Sequence, residues 1–145
     1  MGIRPTLTDQ IWATAKQWAK SSTCPKRQVG AVLVKDGHII ETGYNGAPPG
    51  EAHCTDLGCY EVASKCERAV HAEHNLLLHA ARHGHSTLGT TVYVTLKPCF
   101  KCQMYMRSAG VKSWKWLEDN RERPGAPQIE VTSEEELRWT LSRSS

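Results

Sequence analysis

Two short strings, His71-Ala72-Glu73 and Pro98-Cys99-Phe100-Lys101-Cys102, stand more than twenty residues apart and constrain the fold more than anything else in the chain. One imidazole and two thiolates form a donor set that can hold zinc with three protein ligands and leave the fourth position open for water. A fold that uses them must bring His71, Cys99 and Cys102 to one point and set Glu73 beside it as a base. Pro98 suits the start of a helix, and helical character also resumes at His71. If each string opens a helix, both positive dipole ends face the same centre and favour thiolate over thiol.

The remaining pattern supplies the elements for such a convergence. Ile11, Trp12, Ala15, Trp18 and Ala19 recur at helical spacing and predict a first helix from about Asp9 to Ser21, capped by Thr8 or Asp9. Val29 to Val34 reads as a buried strand, Lys35-Asp36-Gly37 as a hairpin turn, and His38 to Thr42 as the returning strand. From Gly43 to Val70 the chain is rich in Gly, Pro and Cys and lacks periodicity. So long a connection is usually functional or pinned by a metal. A second helix is predicted from His71 to about His83, with Leu76, Leu77, His79 and Ala80 as its inner face and Gly84 as its stop. A strand over Thr91 to Thr95, a third helix from Pro98 to Gly110 and a strand over Val111 to Leu117 follow. Strand, helix, strand in this order predicts parallel pairing. Toward the C-terminus, Gly125 to Pro127 reads as a linker, Ile129 to Val131 as an edge strand, and Ser133 to Leu141 as a helix whose cap pairs Ser133 with Glu136.

The 145 residues fit one domain, 1–145, with 118–145 as a C-terminal extension. Lysine and arginine number 18 against 15 acidic residues, a net charge of +3 that does not argue for nucleic acid and suits a small anionic substrate. The N-terminus lacks the basic start and apolar run of a signal peptide, and no apolar stretch approaches the roughly 20 residues of a membrane-spanning helix. The expectation is a soluble, cytoplasmic protein with no membrane partner. In that compartment the six cysteines are thiols or metal ligands rather than disulfides. Cys99 and Cys102 have catalytic spacing; Cys24, Cys54, Cys59 and Cys66 all lie upstream of His71 and need their own explanation.

Histidine-x-glutamate followed by Pro-Cys-x-x-Cys is the signature of zinc-dependent nucleobase deamination. Zinc at such a site lowers the pKa of a bound water to about 7. Glu73 would take that water's proton and pass it to the ring nitrogen, then help protonate the departing ammonia with a second proton, while the turn around Ala72 offers a backbone amide to the base carbonyl. Either string alone is weak: His-Ala-Glu is often a surface helix start, and Pro-Cys-x-x-Cys also fits a redox pair or a structural zinc knuckle. Their conjunction in this order carries the reading.

Val29-Gly30-Ala31-Val32, Gly43-Tyr44-Asn45-Gly46-Ala47-Pro48-Pro49-Gly50, His71-Ala72-Glu73 with Asn75, and Thr95-Leu96-Lys97-Pro98-Cys99 with Cys102 together resemble the deoxycytidylate deaminase family, from about residue 8 to residue 117. His-Ala-Glu and Pro-Cys-x-x-Cys are shared across the wider cytidine deaminase superfamily; the loop around Asn45 is the part that resembles enzymes acting on dCMP. The resemblance implies an α/β fold, a three-layer α/β/α sandwich with a mixed, approximately five-stranded central sheet. It implies hydrolysis of dCMP to dUMP and ammonia, supplying dUMP for thymidylate synthesis, in a homo-oligomer, commonly a hexamer regulated by dCTP and dTTP. Residue by residue, it implies His71, Cys99 and Cys102 as ligands of a catalytic zinc and Glu73 as the proton shuttle. Asn45 would contact the deoxyribose and Arg27 would lie near the phosphate. An amide offers both donor and acceptor to a sugar hydroxyl, and a guanidinium fork suits a phosphate. A turn asparagine and a solvated arginine are the bland counterparts.

Cys24, Cys54, Cys59 and Cys66 suit a closed tetrahedral zinc that pins the long loop, with His53 as an alternative ligand. The resemblance supports this, because some deoxycytidylate deaminases carry a second zinc at positions matching Cys24 and Cys54. Buried thiols acting as small hydrophobes are the other reading. Departures from the family are Trp114-Lys115-Trp116, where tyrosines often enclose the nucleotide, and Ala69, where an acidic zinc ligand can stand. Lys115 would offer a substitute positive charge, although a surface lysine explains it better, and His79, His83 and His85 read as solvated or core residues. Three rival functions remain: a deaminase of another cytosine nucleotide or nucleoside, a tRNA adenosine deaminase, and a noncatalytic zinc-binding module. A nucleic-acid deaminase calls for a basic groove with stacking aromatics, which this charge balance does not supply. A noncatalytic module leaves Glu73 without a purpose.

Overall fold

The structure is a computed structural model that describes residues 4–62, 65–66 and 70–118. Helix α1 (Leu7–Ala19) leads into the hairpin β1 (Gly30–Lys35) and β2 (His38–Tyr44). A short helix α2 (Cys54–Leu57) and a small ladder of β3 (Glu61–Val62) with β4 (Lys65–Cys66) follow. Then come α3 (Ala72–Arg82), β5 (Thr91–Leu96), α4 (Phe100–Ser108) and β6 (Ser113–Glu118). Among the described residues the main sheet has four strands in the order β2-β1-β5-β6, against about five expected. The fifth candidate at 129–131, the linker at 125–127 and the helix at 133–141 lie outside the described residues.

Strand β1 runs antiparallel to both β2 and β5, and β5 runs parallel to β6. The sheet is therefore mixed, as the pattern predicts. Pairing through α4 is direct, whereas β2 and β5, joined through α3, point the same way with β1 inserted between them. The hairpin turns where Asp36 (φ 50°) and Gly37 (φ 77°) both take left-handed backbone, the geometry that follows the strands' own twist.

Period-two alternation along the central strands divides the core into two layers. Val32, Val34 and Tyr93 face α1, where Ile11 and Ala15 are buried and Trp12 meets Tyr93 edge-to-face at 5.2 Å. Ala31, Leu33, Val92, Val94 and Trp114 face the other way, toward Ala72, Leu76 and Ala80 of α3 and Met106 of α4. Each fully buried leucine of this layer contributes about 1.5–3 kcal/mol by leaving water. Trimming one to alanine costs about 2–5 kcal/mol because a cavity adds to the lost burial.

Two local expectations are corrected. Helix α1 begins earlier than expected, because Thr6 caps it: its Oγ1 accepts from the Asp9 amide at 3.1 Å while the Asp9 carboxylate accepts from the Thr6 amide at 2.9 Å. Asp9 is the third helical residue closing a capping box, not the cap. The stretch read as one long loop also contains α2 and the β3–β4 ladder, elements too short to leave a periodic signal.

Close packing of α3 on β2 sets the height of the site above the sheet. A Cβ at Gly43 would lie 2.9 Å from the Ala72 carbonyl oxygen and 3.0 Å from the Leu76 nitrogen. Only glycine lets the first turn of α3 rest there.

Candidate active site

His71 is the N-cap residue of α3 and Cys99 that of α4, so the two helix starts predicted from sequence meet. The His71 Nδ1 lies 3.5 Å from Cys99 Sγ and 3.4 Å from Cys102 Sγ, and the three ligand atoms all fall within 4.8 Å of one another. Tetrahedral zinc with ordinary bond lengths would place its nitrogen and sulfur ligands about 3.6 Å apart. The donor set and its spacing therefore fit zinc. Among the described residues this is the only group of three such side chains close enough to share an ion. His71 is exposed, Cys99 half-buried and Cys102 buried, which gives the site a wet rim and a dry floor.

Glu73, in the first turn of α3, is 4 % exposed. Burial raises its carboxyl above the usual range, opposed by the nearby His71 and by a hydrogen bond with Cys102. A carboxyl pushed toward neutrality is suited to taking and returning a proton. The Cys99 thiol is lowered to about 4, first by its hydrogen bond with the Cys102 thiol, with His71 and the Cys102 amide adding to the effect against burial. Cys102 moves the other way, held as a thiol by the same hydrogen bond and by its burial. The pair thus holds a thiolate and a thiol, and a divalent cation would release the remaining proton.

Asn45 is buried, and its side chain braces the backbone across the loop. Its Nδ2 donates to the Arg27 carbonyl and its Oδ1 accepts from the Val29 amide, each at 2.8 Å. A second N–H and a second lone pair remain for a ligand. Its backbone φ is not left-handed, so the turn-residue explanation does not apply. Arg27 borders an open cleft of about 540 Å³, together with Lys16, Gln28, Thr95, Leu96 and Glu118. The cleft lies where β1 begins and β5 and β6 end, and Pro98-Cys99 follows directly from that end of β5. Ala72 opens α3 with its side chain buried and its amide among those that the helix leaves without an internal acceptor.

Two site residues went unassigned from sequence. Asn75 is buried on α3, and its Nδ2 faces the carbonyls of Tyr44 (2.9 Å), Gly46 (3.3 Å) and Val70 (3.4 Å). Gln103 is fully buried on α4 and donates from Nε2 to the Pro98 carbonyl at 2.8 Å. Both are polar residues on otherwise apolar helix faces, a signal that was readable.

The other cysteines are less concentrated. Cys24 and Cys54 are buried and Cys59 half-buried, and none of the three is in a disulfide; the side chain of Cys66, like Ala69, lies outside the described residues. A hydrogen bond of 3.2 Å between Thr23 Oγ1 and His53 Nδ1 brings the segments carrying Cys24 and Cys54 side by side. Lys115 lies over the Tyr93 ring at 5.5 Å and Trp114 is core, so this stretch of β6 is occupied by packing. His79 and His83 bond Thr42 and Glu41 of β2, in keeping with a structural role.

Residues 6–118 match the model of the cytidine and deoxycytidylate deaminase zinc-binding region. The chain is 37 % identical over 120 residues to the deoxycytidylate deaminase of Mycobacterium phage D29, covering 75 % of this chain and 92 % of that one. It is 40 % identical over 111 residues to ComE operon protein 2 of Bacillus subtilis, covering 77 % of this chain and spanning 59 % of that longer relative. The dCMP deaminase of cyanophage S-TIM5, solved in complex with dCMP and dUMP, superposes with a TM-score of 0.71 at 30 % identity, covering 83 % of this chain and 87 % of that one.

Proposed function

Because the chain belongs to the deoxycytidylate deaminase family of the zinc-dependent cytidine deaminases, we propose that it hydrolyses dCMP to dUMP and ammonia. The observation that carries this reading is the convergence of His71, Cys99 and Cys102 beside the buried Glu73. When bound by those ligands, zinc supplies a Lewis acid that acidifies water to near neutrality. Glu73 accepts one proton of the attacking water and delivers it to the ring nitrogen, then takes the second from the hydroxyl added to the ring carbon and passes it to the amino group, which leaves as ammonia. The Ala72 amide, at the positive end of α3, donates to the base carbonyl. Asn45 uses its remaining donor and acceptor on the deoxyribose, and Arg27 receives the phosphate at the mouth of the cleft.

The finer features rest on the family resemblance and on chemistry. Cys24, Cys54, Cys59 and Cys66 bind a second, structural zinc, with His53 as the alternative ligand; the adjacency of the Thr23 and His53 segments supports it. The chain assembles as a homo-oligomer, by resemblance a hexamer, with dCTP and dTTP as effectors. It works in the cytoplasm, supplying dUMP for thymidylate synthesis; no helix among the described residues is long and apolar enough to cross a membrane.

Ammonia release from a panel of dCMP, CMP, deoxycytidine, dCTP and cytosine tests the reading. The expected order places dCMP first by kcat/KM. Preference for any other member overturns the choice of substrate, and no release from any of them overturns the enzyme.

A further inference from the structure

We propose that Asn75 is a positioning residue that locks the nucleotide-reading loop to the metal ligands, an assignment that rests on reading this site as a dCMP deaminase site. Asn75 stands one helical turn beyond His71 and donates its own amide to the His71 carbonyl at 2.9 Å. Its side-chain amide nitrogen faces the carbonyls of Tyr44 and Gly46, the two residues flanking Asn45, and that of Val70, the residue before His71. Three acceptors around one atom also settle the amide's orientation, since an oxygen placed there would meet only oxygens.

The contacts form a continuous bracket. Gly46 and Val70 exchange both backbone hydrogen bonds, at 3.0 and 2.9 Å, so the loop is paired with the approach to His71 under the Asn75 amide. Asn45 then transmits that position outward, holding the Arg27 carbonyl and the Val29 amide. Ser22 adds a hydroxyl hydrogen bond to the Asn45 carbonyl at 2.8 Å. A displacement at Asn75 would shift the sugar and phosphate contacts relative to the metal while leaving His71, Cys99 and Cys102 on their helices. Misplacing a reactant by an ångström can cost about a hundredfold in rate.

A double-mutant cycle of Asn75→Ala with Asn45→Ala, read as kcat/KM for dCMP with zinc content measured alongside, tests the role. The expected result is normal catalytic zinc, a raised KM in Asn75→Ala, and an Asn45→Ala effect about tenfold smaller in that background than in the parent protein. Effects that multiply independently to within about twofold, as they do for uncoupled sites, overturn the proposal. Amide hydrogen exchange gives a second readout that needs no turnover: Asn75→Ala should speed exchange at Gly46 and at Val29 by about tenfold or more. Unchanged protection at Val29 overturns the bracket. Should Asn75→Ala fail to fold, Asn75→Ser carries both measurements. Absence of dCMP turnover in the parent protein defeats the substrate assignment, and the exchange arm then decides the bracket alone.

Discussion

Cys99 and Cys102 sit at the head of a nine-residue helix, whereas Cys24 and Cys59 sit on irregular segments and Cys54 on a helix of four residues. The first pair is placed by the bonds that hold the core together: Gln103 grips Pro98, Met106 is buried in the main layer, and β5 delivers the motif from the centre of the sheet. The second group lies in a stretch whose apolar residues are largely exposed, with Leu57 at 68 % and Tyr60 at 59 %. Ligands carried by long elements acquire metal geometry from the fold. Ligands carried by turns need a cation to supply part of the folding energy themselves.

The largest expected effects lie at the first site. Cys102→Ser should remove the catalytic zinc and take ammonia release to the detection limit, while Glu73→Gln should cost about 10²–10⁴-fold in kcat and keep the metal. Undiminished turnover in Glu73→Gln would falsify the proton-shuttle assignment. Elemental analysis sharpens the contrast further: two zinc ions per chain are expected, falling to one in Cys54→Ser, with a lower Tm and catalytic zinc retained. One zinc in the parent protein breaks the four-cysteine reading.

A smaller effect distinguishes the two sulfurs of the catalytic pair. With its thiol lowered to about 4, Cys99 in zinc-stripped protein is already thiolate across the neutral range and loses reactivity only as pH falls through about 4. Cys102 is pushed upward and stays protonated. Alkylation followed by peptide mass analysis at pH 6 should therefore mark Cys99 first; equal labelling contradicts the assignment. The smallest effect belongs to the second region. Lys26 and Glu61 form an ion pair there, but their side chains are 54 % and 45 % exposed. Lys26→Ala should change stability by about 0–1 kcal/mol in thermal unfolding.

Sequence reading picked out the cluster of His71, Cys99 and Cys102, the buried Glu73 beside it and the starts of α3 and α4 because each carries a local signal, a motif or a proline. The mixed sheet was legible for the same reason, since the hairpin and the strand-helix-strand order each specify direction. What escaped was tertiary. The insertion of β1 between β2 and β5 has no local mark, and two of the three carbonyls gathered by Asn75, those of Tyr44 and Gly46, come from a loop about thirty residues earlier in the chain. Asn45 falls between these cases. Its loop was identified, but the bracing of Arg27 and Val29 depends on a contact across the turn that composition does not encode.

The pairing of β1 with β5 joins Ala31 to Val94, neighbours in space that are distant in sequence. Closing so long a segment is entropically slow compared with forming a hairpin or a helix. The β1–β2 hairpin and α3, built from local contacts, can therefore form before β5 takes its place. Capture of a metal by His71, Cys99 and Cys102 would in this sense be a late step of folding, following the placement of β5 between β1 and β6.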